Sequence, residues 1–220
     1  MRNHHGKEPQ TLRRRREIER KRNRRKEIFS WIRMFVIAMA AVFVVTRFII
    51  INANVPSGSM ETTIMTNDRL IGFRFSYWFD EPERGDIILF HYPVDESVIY
   101  IKRVIGLPGE TVEIREGHIY INGSDTPLEE NYLPEEWYQA NDGYYFEIPE
   151  DCYFVLGDNR NSSADSRYWA EEAIEAGLAS TEEEAIQYSY VKSDKILGKA
   201  IFTYYSSFRN LTNTADYSAE

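Results

Sequence analysis

The sequence predicts a mainly β fold: an exported antiparallel β-sheet domain with a short helical insertion, preceded by one N-terminal transmembrane helix. Three observations predict it. An apolar run near the N-terminus, residues 28–51, has Arg33 and Arg47 as its only charges. Most of the chain after it consists of short segments rich in Ile, Val, Tyr and Phe, separated by Gly, Pro, Asp and Asn, the pattern of strands and turns. One stretch, residues 170–188, is instead rich in Ala and Glu.

Residues 1–27 form a basic tail with 12 Lys and Arg against 4 Glu, net +8, whereas the rest of the chain carries −17 and the whole −9. The densest part, "RRRREIERKRNRRK", directly precedes the apolar run. As a helix at ~1.5 Å per residue, residues 28–51 would extend about 36 Å, enough to cross a bilayer core of about 30 Å. Both arginines lie near its ends, where long side chains reach the headgroups. The run lacks the amphipathic stripe of a buried soluble helix and exceeds the ~7–15 apolar residues of a cleaved signal peptide. Basic flanks stay cytoplasmic, which places the N-terminus inside the plasma membrane and residues 52–220 outside it in a single-pass arrangement. Beside a membrane span the basic block reads as an orientation signal rather than a nucleic-acid arm, so the expected partner is the lipid bilayer and not nucleic acid.

The expected strands run in order through "RLIGFRFSYWF", "DIILFHY", "SVIYIKRVIGL", "TVEIREGHIYING", "YYFEIP", "CYFVLGD" and "KILGKAIFTYY". "TVEIREGHIYI" reads as a hairpin turning at Glu116 and Gly117. Residues 170–188 read as two short helices around Gly177, with Ser180 or Thr181 capping the second. The polar end, residues 207–220, is expected to fray. Cys152 is the only cysteine, so the exported domain must rely on its core rather than on a disulfide.

Three clusters carry possible chemistry. The first, "NVPSGSMETTI", places Ser57, Gly58 and Ser59 in a tight turn just after the apolar run. A serine hydroxyl is a poor nucleophile until a base takes its proton. The only histidines beyond the tail, His91 and His118, both fall in strand segments and read as sheet residues. The second cluster is Lys102, the only lysine between Glu27 and Val191, set among apolar residues in "SVIYIKRVIGLPG". Strand alternation puts Tyr100, Lys102 and Val104 on one face. Burial there would favour the neutral amine and make it a base; an edge lysine reaching to solvent is the competing reading. The third cluster, "GDNRNSSADSRYW", packs aspartates, arginines and serines after a strand, as an Asx-rich turn or as an ion-paired loop that supports a polar site.

In order, "PSGSM" after a membrane helix, "GDIILF", "YIKRVIGLPGE", "GDNRNSSADSR" and "ILGKA" resemble the motif boxes of bacterial type I signal peptidases, membrane-bound Ser/Lys proteases. The resemblance covers residues 56–200. It implies that the β domain is catalytic and removes signal peptides from exported preproteins after a small-x-small site. It implies Ser59 as nucleophile, Lys102 as general base, and the Ser59 N–H with the Ser57 hydroxyl as oxyanion hole. Ser163 would orient the lysine, and Asp158, Arg103, Asp165 and Arg167 would form supporting ion pairs, with Gly157 at the turn into their loop. No cofactor or metal is implied, and a monomer is expected. The chain departs from the pattern at Thr62, where proline is usual and where threonine would loosen the turn, and at Glu110 and Asn161, where aspartate is common.

A sortase-like transpeptidase would instead need Cys152 as a reactive thiol. An inactive membrane-tethered binding module would have lost one of the four serine and lysine positions, and all four are present. A self-cleaving Ser/Lys repressor would share the pair but not the membrane span.

Overall fold

The computed structural model describes residues 10–134, 137, 143–205 and 208–212. The chain divides into two units, residues 1–48 and 49–220. The start of the basic tail, residues 1–9, and the end of the C-terminal tail, 213–220, lie outside the described residues.

In the first unit, helix α1 (Gln10–Val44) runs through the basic block into the apolar run without a break. A wider π-helical turn, Val45–Ile49, continues it. Side chains such as Phe29, Trp31 and Phe35 are about two-thirds exposed, and α1 with this turn is long and apolar enough to cross a membrane. The helical conformation stops at Ile49 rather than at the expected residue 51. Strand β1 (Ile50–Asn54) begins there and pairs with β2 (Arg69–Phe73), Ile50 opposite Phe73 and Ile51 opposite Gly72. Ile51 is buried against Leu70, Ile87 and Leu89, so its apolar side chain serves the β core rather than the span.

The second unit is built of antiparallel pairs throughout its described strands. To β1 and β2 it adds β3 (Ile87–His91), β4 (Ile99–Gly106), β5 (Thr111–Arg115), β6 (His118–Ile121), β7 (Tyr144–Glu147), β8 (Cys152–Leu156), β9 (Val191–Lys192), β10 (Ile196–Tyr205) and β11 (Arg209–Asn210). The larger sheet has the order β1-β2-β10-β3-β4-β8-β9 with β11 on β10, and the smaller has the order β6-β5-β7. The hairpin β5-β6 turns at Glu116 and Gly117, both with positive φ, which matches the twist of the flanking strands.

Three further expectations need correction. The segment "RLIGFRFSYWF" is a strand only to Phe73; Arg74–Tyr77 forms a 3-10 turn, with Phe75 stacked on Phe73 and the Tyr77 hydroxyl donating to Asp86. The tail does not fray at once after residue 206, because Arg209–Asn210 pairs with β10 and Leu211 enters the core under β1. The insertion begins one residue early: α2 (Trp169–Glu175) carries a fully buried Trp169, and α3 (Glu182–Ala185) is capped by Thr181, whose hydroxyl accepts from the Glu184 N–H.

Candidate active site

Strand β4 lies inside the larger sheet between β3 and β8, and alternation sends successive side chains to opposite faces. Lys102, opposite Ile88, reaches the Ser59 turn, whereas Arg103 points into the loop after β8. The Ser59 turn is tied down by its own sequence. Val55 and Asp68 close the base of the loop through backbone hydrogen bonds, and Met60 and Ile64 are buried in the core. Ser59 is thereby half-buried at the mouth of the domain while its neighbours are anchored.

The Lys102 Nζ donates to Ser59 Oγ at 2.8 Å, and Ser57 Oγ lies 3.4 Å from the same atom. Lys102 is 4% exposed. Burial lowers its pKa to about 8; Asp165 and Asp158 pull the other way and Arg167 assists the lowering. A cleft of about 660 Å³ runs past these groups, lined by residues 51–60 on one side and by Val98 to Lys102 on the other. Strand β1, the terminal strand of the sheet, lines its length.

The loop after β8 supports this arrangement. Arg103 and Asp158, both fully buried, form a two-point pair at 2.8 and 2.6 Å, and Thr63 donates to the same carboxylate at 2.6 Å. Asp165 pairs with Arg167 at 2.7 and 2.9 Å and accepts from the Gly157 N–H at 3.0 Å. Burial alone would raise the Asp165 pKa, but Arg167, the Gly157 N–H and Lys102 outweigh it and hold the carboxyl below its usual range. A Cβ on Gly157 would sit 2.4 Å from the Ser59 carbonyl oxygen and 2.2 Å from Ser163 Oγ, so only glycine allows this approach. Ser163 is buried, and among the described residues its Oγ has no hydrogen-bond partner; the Lys102 amine is directed at Ser59 instead.

Two features escaped the sequence reading. Asn159 clamps the nucleophile turn, its backbone N–H on the Ser59 carbonyl and its Nδ2 on the Gly58 carbonyl, both at 3.0 Å. Arg160 pairs with Glu130 at 2.6 Å and donates to the Gly157 carbonyl. Asn159 lies inside the quoted motif, but a turn asparagine has too many ordinary roles to stand out. At the departures from the family pattern, Glu110 holds Arg84 through two contacts, and the Thr62 carbonyl accepts from Arg209. Arg209 ties the turn at the position where threonine was expected to loosen it.

His91, His118 and Cys152 lie apart from this chemistry. His91 Nδ1 engages the Glu96 carbonyl, and His118 is exposed on the smaller sheet. Cys152 is buried in β8 and burial pushes its thiol up to about 12, far from the thiolate a sortase-like reaction requires.

Residues 28–205 match the family described as signal peptidase, peptidase S26. A signal peptidase I of Leptolyngbya laminosa is 40% identical over 162 residues, 69% of this chain and 66% of that protein. A probable signal peptidase I-2 of Synechocystis sp. is 38% identical over 69% of this chain and 61% of its own length. The matched region therefore spans less than two thirds of both relatives. Signal peptidase I P of Bacillus subtilis subsp. natto is 32% identical over 68% of this chain and 84% of its own length.

Proposed function

The chain belongs to the signal peptidase family, peptidase S26, and from that premise we propose that it is a membrane-anchored serine endopeptidase that removes signal peptides from exported preproteins. The observation that carries the proposal is the buried Lys102 amine, its pKa lowered to about 8 by burial, within hydrogen-bond distance of Ser59.

In this reading Lys102 takes the proton from Ser59 as its oxygen attacks the scissile carbonyl. The Ser59 N–H and the Ser57 hydroxyl hold the oxyanion. Lys102 then delivers the proton to the leaving amine, and water, deprotonated by the same lysine, releases the acyl group. Ser163, with its unengaged hydroxyl, is placed in the role of steadying the lysine once it is charged. Arg103, Asp158, Asp165, Arg167 and Gly157 hold the loop on which the turn rests.

The substrate would lie extended in the cleft and pair main chain to main chain with β1, whose outer edge ends the sheet. A cut after a small-x-small sequence suits shallow pockets along that strand. The span would anchor a single-pass protein with the basic tail inside and residues 52–220 outside, working as a monomer. A second point of membrane contact would be the aromatic segment after β2, where Trp78 is 61% and Phe79 92% exposed. In vesicle-binding assays of the soluble domain, residues 52–220, Trp78→Ser weakens adsorption; unchanged binding removes that residue from the membrane contact.

Lys102→Arg tests the chemistry. It keeps a positive charge but supplies no neutral amine, so cleavage should be lost, and retained cleavage would sink the Ser/Lys assignment.

A further inference from the structure

The helical insertion has no part in the chemistry above, yet its first turn reaches the wall of the cleft. Trp169, at the start of α2, is fully buried and its ring centroid lies 5.9 Å from Phe90, 5.6 Å from Tyr92 and 6.1 Å from Tyr100. Tyr92 and Tyr100 are stacked nearly parallel, centroids 4.3 Å apart and planes 7° apart. The Tyr92 hydroxyl donates to the Glu172 carboxylate, one turn further along α2. Tyr100 is the half-buried end of this assembly: it lines the cleft, and its ring centroid is 5.3 Å from Lys102 Nζ.

An aromatic ring on a strand is held in place only by what packs behind it. Behind Tyr100 stands Tyr92, itself 7% exposed, and the tilt of Tyr92 is fixed at one end by its backbone directly after β3 and at the other by Glu172. We propose that α2 is a buttress of the cleft, with Glu172 acting through Tyr92 to hold Tyr100, so that this chain sets with its insertion how large a side chain fits beside Lys102. Glu172 and Tyr92 are positioning residues, not catalytic ones. The inference rests on the peptidase reading for its consequence and on packing and the Tyr92–Glu172 hydrogen bond for its geometry.

The test uses the full-length protein in detergent and two matched preproteins, with alanine or valine immediately before the cut. Glu172→Gln and Tyr92→Phe both weaken the link while preserving the stack. The ratio of kcat/KM for alanine over valine should fall about tenfold, the low end of what one methylene is worth in a hydrophobic pocket. Glu175→Gln, exposed on the same helix, should leave the ratio unchanged. In parallel, fluorine NMR of the 3-fluorotyrosine protein, with the Tyr100 resonance assigned by its loss in Tyr100→Phe, should show that resonance shifted in Glu172→Gln. A wild-type ratio in both variants overturns the effect on selectivity, and an unmoved Tyr100 resonance overturns the buttress itself. If wild type cuts neither preprotein while the Tyr100 resonance still responds to Glu172→Gln, the peptidase reading fails and the buttress stands.

Discussion

Lys102 Nζ lies 2.8 Å from Ser59 Oγ across a separation of 43 residues in sequence. One is held on an interior strand whose apolar neighbours strip water from the amine; the other sits on a loop closed by backbone hydrogen bonds and pinned by Met60 and Ile64.

The pH dependence follows from the buried amine. A base must be unprotonated, and Lys102 loses its proton near pH 8 instead of near its ordinary value of 10.5. The rate constant kcat/KM should therefore fall about tenfold per pH unit below an apparent pKa near 8 and level off above it. A profile flat from pH 6 to 9 would show that no group titrating near 8 controls the reaction.

Removing the Ser57 hydroxyl should affect chemistry more than binding. Ser57→Ala should lower kcat by about 10²- to 10³-fold with little change in KM, as the loss of one oxyanion donor does. Single-turnover kinetics separates the two parameters, and an unchanged kcat would remove Ser57 from the oxyanion hole.

Asp158 stabilises rather than reacts. Asp158→Ala leaves the Arg103 guanidinium, fully buried, without its carboxylate, and should cost about 3–5 kcal/mol in urea unfolding. A loss below about 1 kcal/mol would show that Arg103 finds another partner at little cost.

The nucleophile turn depends on close backbone approach. Gly157→Ala would force its Cβ onto the Ser59 carbonyl oxygen, displacing Ser59 from Lys102, and a shift of about 1 Å costs on the order of 10²-fold in rate. Asn159→Ala, which frees the Gly58 carbonyl from its clamp, should lower the rate in the same direction by about tenfold, near the worth of a single hydrogen bond. Wild-type rates in both would mean that Met60 and Ile64 suffice to position the turn.

The strands were legible because their apolar residues recur where one or both faces of a sheet are buried, as in Ile87–His91 and Cys152–Leu156. Strand β1 was hidden because Ile50 and Ile51 continue the apolar run, and only tertiary pairing with Gly72 and Phe73 distinguishes strand from span. The two-residue strands β9 and β11 carry too few residues for any period to register. Ser59 and Lys102 stood out for chemical reasons, a serine in a tight turn and a lone lysine among apolar residues. Asn159 and the Glu172–Tyr92–Tyr100 chain were not legible, since their importance lies in contacts between segments far apart in sequence.

The most direct test of the central claim is cleavage of a membrane-anchored preprotein by detergent-solubilised wild type, Ser59→Ala and Lys102→Ala, with the new N-terminus of the product identified. The account predicts that wild type cuts once after a small-x-small site and that both variants lose activity by at least about 10³-fold while remaining folded. Cleavage at the same site by either variant at a rate near wild type would contradict it.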